Sequence, residues 1–346
     1  MYKLLIKPFL GLYSAERARR IALTELKIVH RLPLTRSLIR LAHRKETPAL
    51  KRELFGIEFP NPVGLAAGFD TDGEFAAAIA DYGFGFIEIG SITAAPEEGN
   101  PRPRIFRLPK DKAIIHRTGT ANKGVIKAIQ NIQAERPDCI LAVNLANSPL
   151  CTKDSKMIND FQYSFSMMYD FADMFTINVS NTDRNGVLSI QNATSIAEII
   201  DPLVEMRLSY ENYKPILLKI SPDIPRDELC IILDYCMYSG VDGIIAAGSS
   251  RKLPELQSSQ RRLEDIGPGG LSGAPLYEKS LELVRFIHEY TKGRFPIIGC
   301  GGICKAEQVE EMLSAGASLV QMHSAFAYEG PGLIKKIIKK LDSKKQ

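Results

Sequence analysis

Eight short apolar runs, at residues 61–67, 85–91, 140–146, 174–180, 215–221, 242–248, 295–301 and 318–324, recur along the chain in a strand–helix rhythm. A run of β-branched and small residues without polar alternation reads as a strand buried on both faces, the signature of a parallel sheet. Helical patterns fill most of the intervals, for example at 74–82, 227–238, 276–290 and 306–315. Eight such units are the number that closes a parallel (β/α)8 TIM barrel. An open, doubly wound sheet is the alternative architecture, and it has no need of eight strands.

The seventh run, Phe295-Pro-Ile-Ile-Gly-Cys-Gly-Gly-Ile303, ends in glycines, and the eighth ends in polar residues at His323 and Ser324. Glycines let backbone N–H groups approach a phosphate closely, and a following helix start adds its positive dipole end. In TIM barrels the loops after strands seven and eight are where such a phosphate site is usually built. The plainer alternative is that these glycines serve only the turns.

At 346 residues with 45% hydrophobic content, one barrel with a large core accounts for the length. The charge is unevenly placed. Residues 1–52 carry thirteen Lys/Arg against three Glu, a surplus of ten, so the remainder is acidic by six and the net is +4. That segment holds two amphipathic helical patterns. Ala18, Ile21, Ala22, Leu26 and Val29 form one stripe, Pro33 interrupts, and Leu34, Leu38, Ile39 and Ala42 form the next, with Arg36, Arg40 and Arg44 on the other face. An arginine-rich polar face opposite an apolar stripe suits peripheral contact with an anionic membrane surface. Packing on the barrel, with the charges simply solvated, is the competing reading. No run approaches the roughly 20 apolar residues of a membrane span. The six cysteines have no framework or zinc spacing, so no metal site is expected and a reduced, cytoplasmic chain, peripheral on the inner face of a membrane, is. The basic segment lacks the aromatic, base-stacking pattern of nucleic-acid binders, so no nucleic-acid partner is expected.

Asn61-Pro-Val-Gly-Leu-Ala-Ala-Gly-Phe-Asp70, Gly83-Phe-Gly-Phe-Ile-Glu-Ile-Gly-Ser91, Gly99-Asn-Pro-Arg-Pro-Arg-Ile-Phe-Arg-Leu108, Gly269-Gly-Leu-Ser-Gly-Ala-Pro-Leu276 and Ile298-Gly-Cys-Gly-Gly-Ile303 together resemble dihydroorotate dehydrogenases over nearly the whole chain. The N-terminal helices resemble those of the membrane-associated, quinone-reducing class. The resemblance implies an extension over residues 1–52 that guides a quinone, and an FMN-binding barrel over 53–346 that oxidises dihydroorotate in pyrimidine synthesis. It implies a phosphate cradle at Gly270, Gly301, Gly302 and Ser324, with His323 beside it. It also places the flavin ring against Ala67 and Gly68. Ser91, Asn144, Asn178 and Lys219 match positions that contact or support the ring, and a cation such as Lys219 would stabilise a reduced, anionic flavin.

The substrate face departs from the family pattern. Where the quinone class carries Asn-x-Ser-Ser-Pro-Asn-Thr with the second serine as base, this chain reads Asn178-Val-Ser-Asn-Thr-Asp-Arg184. Asn181 stands at the base position, and a carboxamide accepts no proton at useful pH. Asp183 stands at a substrate-binding asparagine, where a carboxylate would repel a carboxylated substrate or serve as an alternative base. His116 and Gly248 replace two further asparagines, leaving Asn178 as the unchanged member of four, and Thr71 replaces a lysine that contacts FMN. Every buried hydrogen bond to a polar substrate that goes unmade costs about 1–3 kcal/mol. His116 is a candidate acid–base or orienting group, or a space-filler. Three readings stay open at this point: a flavin oxidoreductase with a changed small-molecule substrate, a true dihydroorotate dehydrogenase with an unconventional base, and a non-catalytic paralogue acting as a binding or regulatory protein.

Overall fold

The structure, a computed structural model, describes residues 6–45, 47–148, 154–180 and 192–344. Asn181 and Asp183 lie outside the described residues. The chain opens with three helices, α1 (Lys7–Gly11), α2 (Ala15–Arg31) and α3 (Pro33–His43). Ser14 caps α2 by accepting from the Arg17 N–H, and Pro33 sits in the first turn of α3, where its missing N–H leaves no bond unmade. A hairpin, β1 (Arg52–Leu54) and β2 (Ile57–Phe59), leads into the barrel.

The eight expected runs form the eight barrel strands. They are β3 (Val63–Leu65), β4 (Phe86–Ile92), β7 (Ile140–Leu145), β8 (Met174–Asn178), β9 (Ile216–Ile220), β10 (Gly243–Ala246), β12 (Ile297–Cys300) and β13 (Leu319–Met322). All pair in parallel and β13 closes on β3. Around them run α4 (Ala76–Ala80), α5 (Gly124–Ala134), α6 (Asp154–Met168), α7 (Ala193–Leu208), α8 (Arg226–Tyr238), α9 (Gln260–Ile266), α10 (Tyr277–Tyr290), α11 (Ala306–Ser314), α12 (Ser324–Glu329) and α13 (Gly332–Ser343).

Alternation along each strand sorts residues into two cores. Val63, Ile87, Val143, Phe175, Leu218 and Val320 point outward to the helices, while Phe86, Ala142, Met174, Leu217, Ile245, Ile298 and Leu319 fill the barrel's lower interior. Phe86 is large enough to demand a glycine opposite: a Cβ at Gly64 would lie 2.3 Å from its ring. Two residues further along most of the strands, the interior becomes polar, at Glu88, Asn144, Thr176, Lys219 and Gln321.

The apolar runs give no sign of a three-stranded antiparallel sheet in which β11 (Gly270–Gly273) pairs with β6 (Ala113–His116) and β6 with β5 (Ile105–Leu108). Its strands are short, with a core of Leu108, Ala113, Ile115, Ile266 and Leu271. Gly270 belongs to this sheet, directly opposite His116.

Candidate active site

Glu88, Asn144, Thr176, Lys219, Cys300 and Gln321 share the barrel interior above the apolar layer, and all are buried. Two full charges here would be untenable unless paired. Glu88 and Lys219 meet at 3.0 Å (Nζ to Oε2), and Glu88 also accepts from Asn144 Nδ2 at 2.7 Å and from the Ala67 N–H at 3.0 Å. Burial pushes the Glu88 carboxyl upward, but the Lys219 ammonium and these donors outweigh it and hold it below the usual carboxylate range. Lys219 is likewise pushed down by burial and carried above its ordinary value by Glu88. Both groups therefore stay ionised and paired. Beside them, burial lifts the Cys300 thiol to about 11, which leaves it protonated.

From Asn144 the hydrogen bonds continue toward the substrate face. Ser91 Oγ donates to Asn144 Oδ1 at 2.5 Å, and Asn178 Nδ2 donates to Ser91 Oγ at 3.0 Å. Asn178 Oδ1 then accepts from the Ser180 N–H at 3.0 Å and its hydroxyl at 2.6 Å. One connected set thus joins Glu88, Lys219, Asn144, Ser91, Asn178 and Ser180, immediately before Asn181.

A cavity of about 820 Å³ lies over this floor. Ala67, Gly68, His116, Lys219, Gly301, Gly302, His323 and Ser324 all line it, so eight of the sequence-selected residues share one chamber. Ser91, Asn144 and Asn178 reach it through the network, and Gly270 borders His116 from the accessory sheet. Gly301 and Gly302 have φ of +117° and +73°, and a Cβ on either would strike Ser280 Oγ at 2.2 Å or the Tyr277 N at 2.3 Å. Packing against α10 therefore requires glycine at both, independently of any ligand.

Both histidines present part of their rings to the cavity and are otherwise enclosed. Burial lowers His116, and burial, then His116, Arg19 and Lys219, lower His323 to about 3. In the ligand-free chamber both are neutral imidazoles at neutral pH. Gln321 is fully buried, lines the cavity, and neither of its amide atoms has a protein partner. Such an amide awaits a polar group from a ligand or water.

The cavity extends outward between α2 and the barrel, where Leu10, Ala18, Ala22, Leu26, Val29 and Ile39 line it. At its inner end Arg19 donates to the carbonyls of Gly68 and Phe69, and Arg107 donates to those of Leu10 and Tyr13. Sequence reasoning passes over Glu88, Gln321 and Arg19. A glutamate within the otherwise apolar run 85–91 is the available signal, since it is sustainable only with a buried cation such as Lys219.

A closed parallel barrel with an ionised floor under a chamber at the C-terminal ends of its strands defines the class, a (β/α)8 barrel with the site where barrel enzymes place their chemistry. The chain belongs to the dihydroorotate dehydrogenase family, whose profile matches residues 49–344. It is 36% identical over 341 residues to a dihydroorotate dehydrogenase (quinone) from Christiangramia forsetii, covering 99% of this chain and 98% of that protein. A dihydroorotate dehydrogenase (quinone) from a Cyanothece species is 40% identical over 308 residues, covering 87% of this chain and 81% of the other. The ligand-free dihydroorotate dehydrogenase structure from Eimeria tenella superposes with a TM-score of 0.79 at 29% identity, over 91% of this chain and 93% of that one. The structure of the same enzyme with ferulenol also gives 0.79, at 30% identity, over 86% and 84%.

Proposed function

We propose that this chain is an FMN-dependent, quinone-linked oxidoreductase that acts on a small molecule other than dihydroorotate. The observation that carries the substrate part is at Gly248. The family resemblance puts an orotate-holding asparagine there, but a Cβ at Gly248 would lie 2.6 Å from Ser180 Oγ and 3.1 Å from Ser180 Cβ. Ser180 is held in that space by Asn178. Gly248 therefore brings no amide to the site, the serine beside it is one the family pattern also carries, and His116 stands in place of a second asparagine.

The residues present fit FMN. The chamber is large enough, Ala67 and Gly68 leave a flat approach to the rim, and the Gln321 amide is an unmet polar partner inside it. When bound, the flavin supplies reversible two-electron chemistry. The protein contributes a fixed cation, Lys219, whose field favours negative charge gathering above the floor, and Glu88 keeps that cation in place. His116 contributes a neutral imidazole able to give or take a proton, and its burial keeps it unprotonated at neutral pH. Asp183, five residues after Asn178 in the sequence, is the carboxylate that would serve as alternative base. The apolar channel under α2 suits a lipid-soluble acceptor entering from the outer side.

Purified protein should take up one FMN per chain from solution, and the photoreduced form should be reoxidised by a short-chain ubiquinone analogue. No uptake would remove the flavin reading; uptake without reoxidation would remove the quinone link alone.

A further inference from the structure

We propose that Arg19 is a positioning residue that holds the Gly68–Phe69 turn in the shape that receives the cofactor, making the N-terminal helix α2 part of the cofactor site. This rests on the flavin reading above, which places the ring against that turn. Arg19 Nη2 donates to Phe69 O at 2.6 Å and to Gly68 O at 3.2 Å, and its Nε donates to Phe69 O at 3.2 Å. Among the described residues no carboxylate lies within 4 Å of it, although Asp70, Asp72 and Glu16 act on it from further away. A largely enclosed guanidinium spent on two carbonyls is an unusual investment for mere helix docking, where a carboxylate partner would serve better.

Docking is already provided elsewhere on α2. Glu16 binds Arg104 at 2.9 Å, Lys27 binds Glu74 at 3.1 Å, and His30 lies 2.5 Å from both Asp81 and Glu135. Among the described residues Arg19 is the one tether from α2 that ends on the turn itself. The turn also needs holding. Gly68 has φ of +94°, and its N–H is bound to Gly90 O at 2.7 Å. The Ala67 N–H is bound to Glu88 below. Those two bonds, with the His323 ring against Gly68, fix the turn from the barrel side, whereas the Phe69 carbonyl is held by Arg19. The same turn is therefore clamped from the ionised floor on one side and from the extension on the other.

The test compares Arg19→Ala, Arg19→Lys and Lys27→Ala, the last cutting a different α2 tether. In flavin-free protein, amide hydrogen exchange across residues 66–70 should rise about tenfold in Arg19→Ala, as expected for losing hydrogen bonds from a charged donor, and stay unchanged in Lys27→Ala. FMN affinity, by fluorescence titration, should fall about tenfold in Arg19→Ala and partly recover in Arg19→Lys, which keeps charge but loses the fork. Unchanged exchange in Arg19→Ala, or equal changes in Lys27→Ala, would overturn the proposal. Should Arg19→Ala fail to fold, Arg19→Lys decides by the same exchange measurement, a rise supporting the role and no rise rejecting it. Failure of the wild-type protein to bind FMN would reject the flavin reading, while the exchange data would still decide whether Arg19 shapes the turn.

Discussion

The neutral state of His323 has a consequence for stability. Its folded value near 3 lies below the ordinary 6.5, so folding favours the unprotonated ring. The sign follows from linkage: this contribution is complete above about pH 6.5 and is lost as pH falls toward 3, and His116, shifted the same way, adds to it. Denaturant unfolding at stepped pH should therefore show weakening across that window, and His323→Asn should flatten the slope. A variant with an unaltered slope would mean the ring is not buried neutral. The Glu88–Lys219 pair makes a second residue-level prediction. Lys219→Ala strands a buried carboxylate and should cost about 3–5 kcal/mol in unfolding free energy. Replacing both with apolar residues, Glu88→Leu with Lys219→Met, should recover most of that loss. A single variant as stable as the wild type would show that Glu88 takes up a proton or finds another partner.

At the scale of elements, α3 carries the amphipathic pattern read in the sequence, and its partners are what the pattern does not reveal. Its apolar stripe and its arginines are both readable, and the pattern predicts the arginines on the polar face of an interface helix. That polar face is turned to the barrel: Arg40 binds Asp81 at 2.6 Å, Arg40 and Arg44 both bind Asp138, and Arg36 faces Asp81 at 3.6 Å. Leu34, Leu38 and Leu41 are left outward at 82%, 64% and 82% exposure, with Ile39 lining the channel. The physical reason is that Asp81 and Asp138 are supplied by the barrel, far along the chain, and no local pattern reveals which face of a helix they will attract. An exposed leucine ridge of this kind suits a lipid surface. Leu34→Glu with Leu38→Glu and Leu41→Glu should abolish sedimentation with phospholipid vesicles while leaving the melting temperature nearly unchanged; retained sedimentation would place lipid contact elsewhere. Asp81→Asn removes the charge and one of the two acceptor oxygens that bind His30 and Arg40, and should expose 32–45 to limited proteolysis; an unchanged digestion pattern would contradict this. The accessory sheet is hidden for a related reason. Strands of four residues whose burial comes from each other and from α9 leave no long apolar run, so nothing local marks Gly270 as part of a strand.

Across the whole molecule, the barrel is legible because each parallel strand is buried on both sides and must carry its own apolar run. The site is legible only in part. Lys219, Asn144 and the glycine turns stand out through family resemblance, and they converge with Ala67, Gly68 and His116 around one chamber. Glu88, Gln321 and Arg19 acquire meaning only from partners, or a missing partner, on other strands and helices, which spacing along one chain does not encode. What unites these scales is a barrel with a charged floor under a cofactor-sized chamber, where on our proposal His116 and Gly248, in place of two asparagines, change which substrate is held. Anaerobic mixing of FMN-loaded protein with dihydroorotate, followed by flavin absorbance, tests that most directly. The absorbance should persist unchanged at saturating dihydroorotate; rapid bleaching, with orotate formed in step, would contradict it.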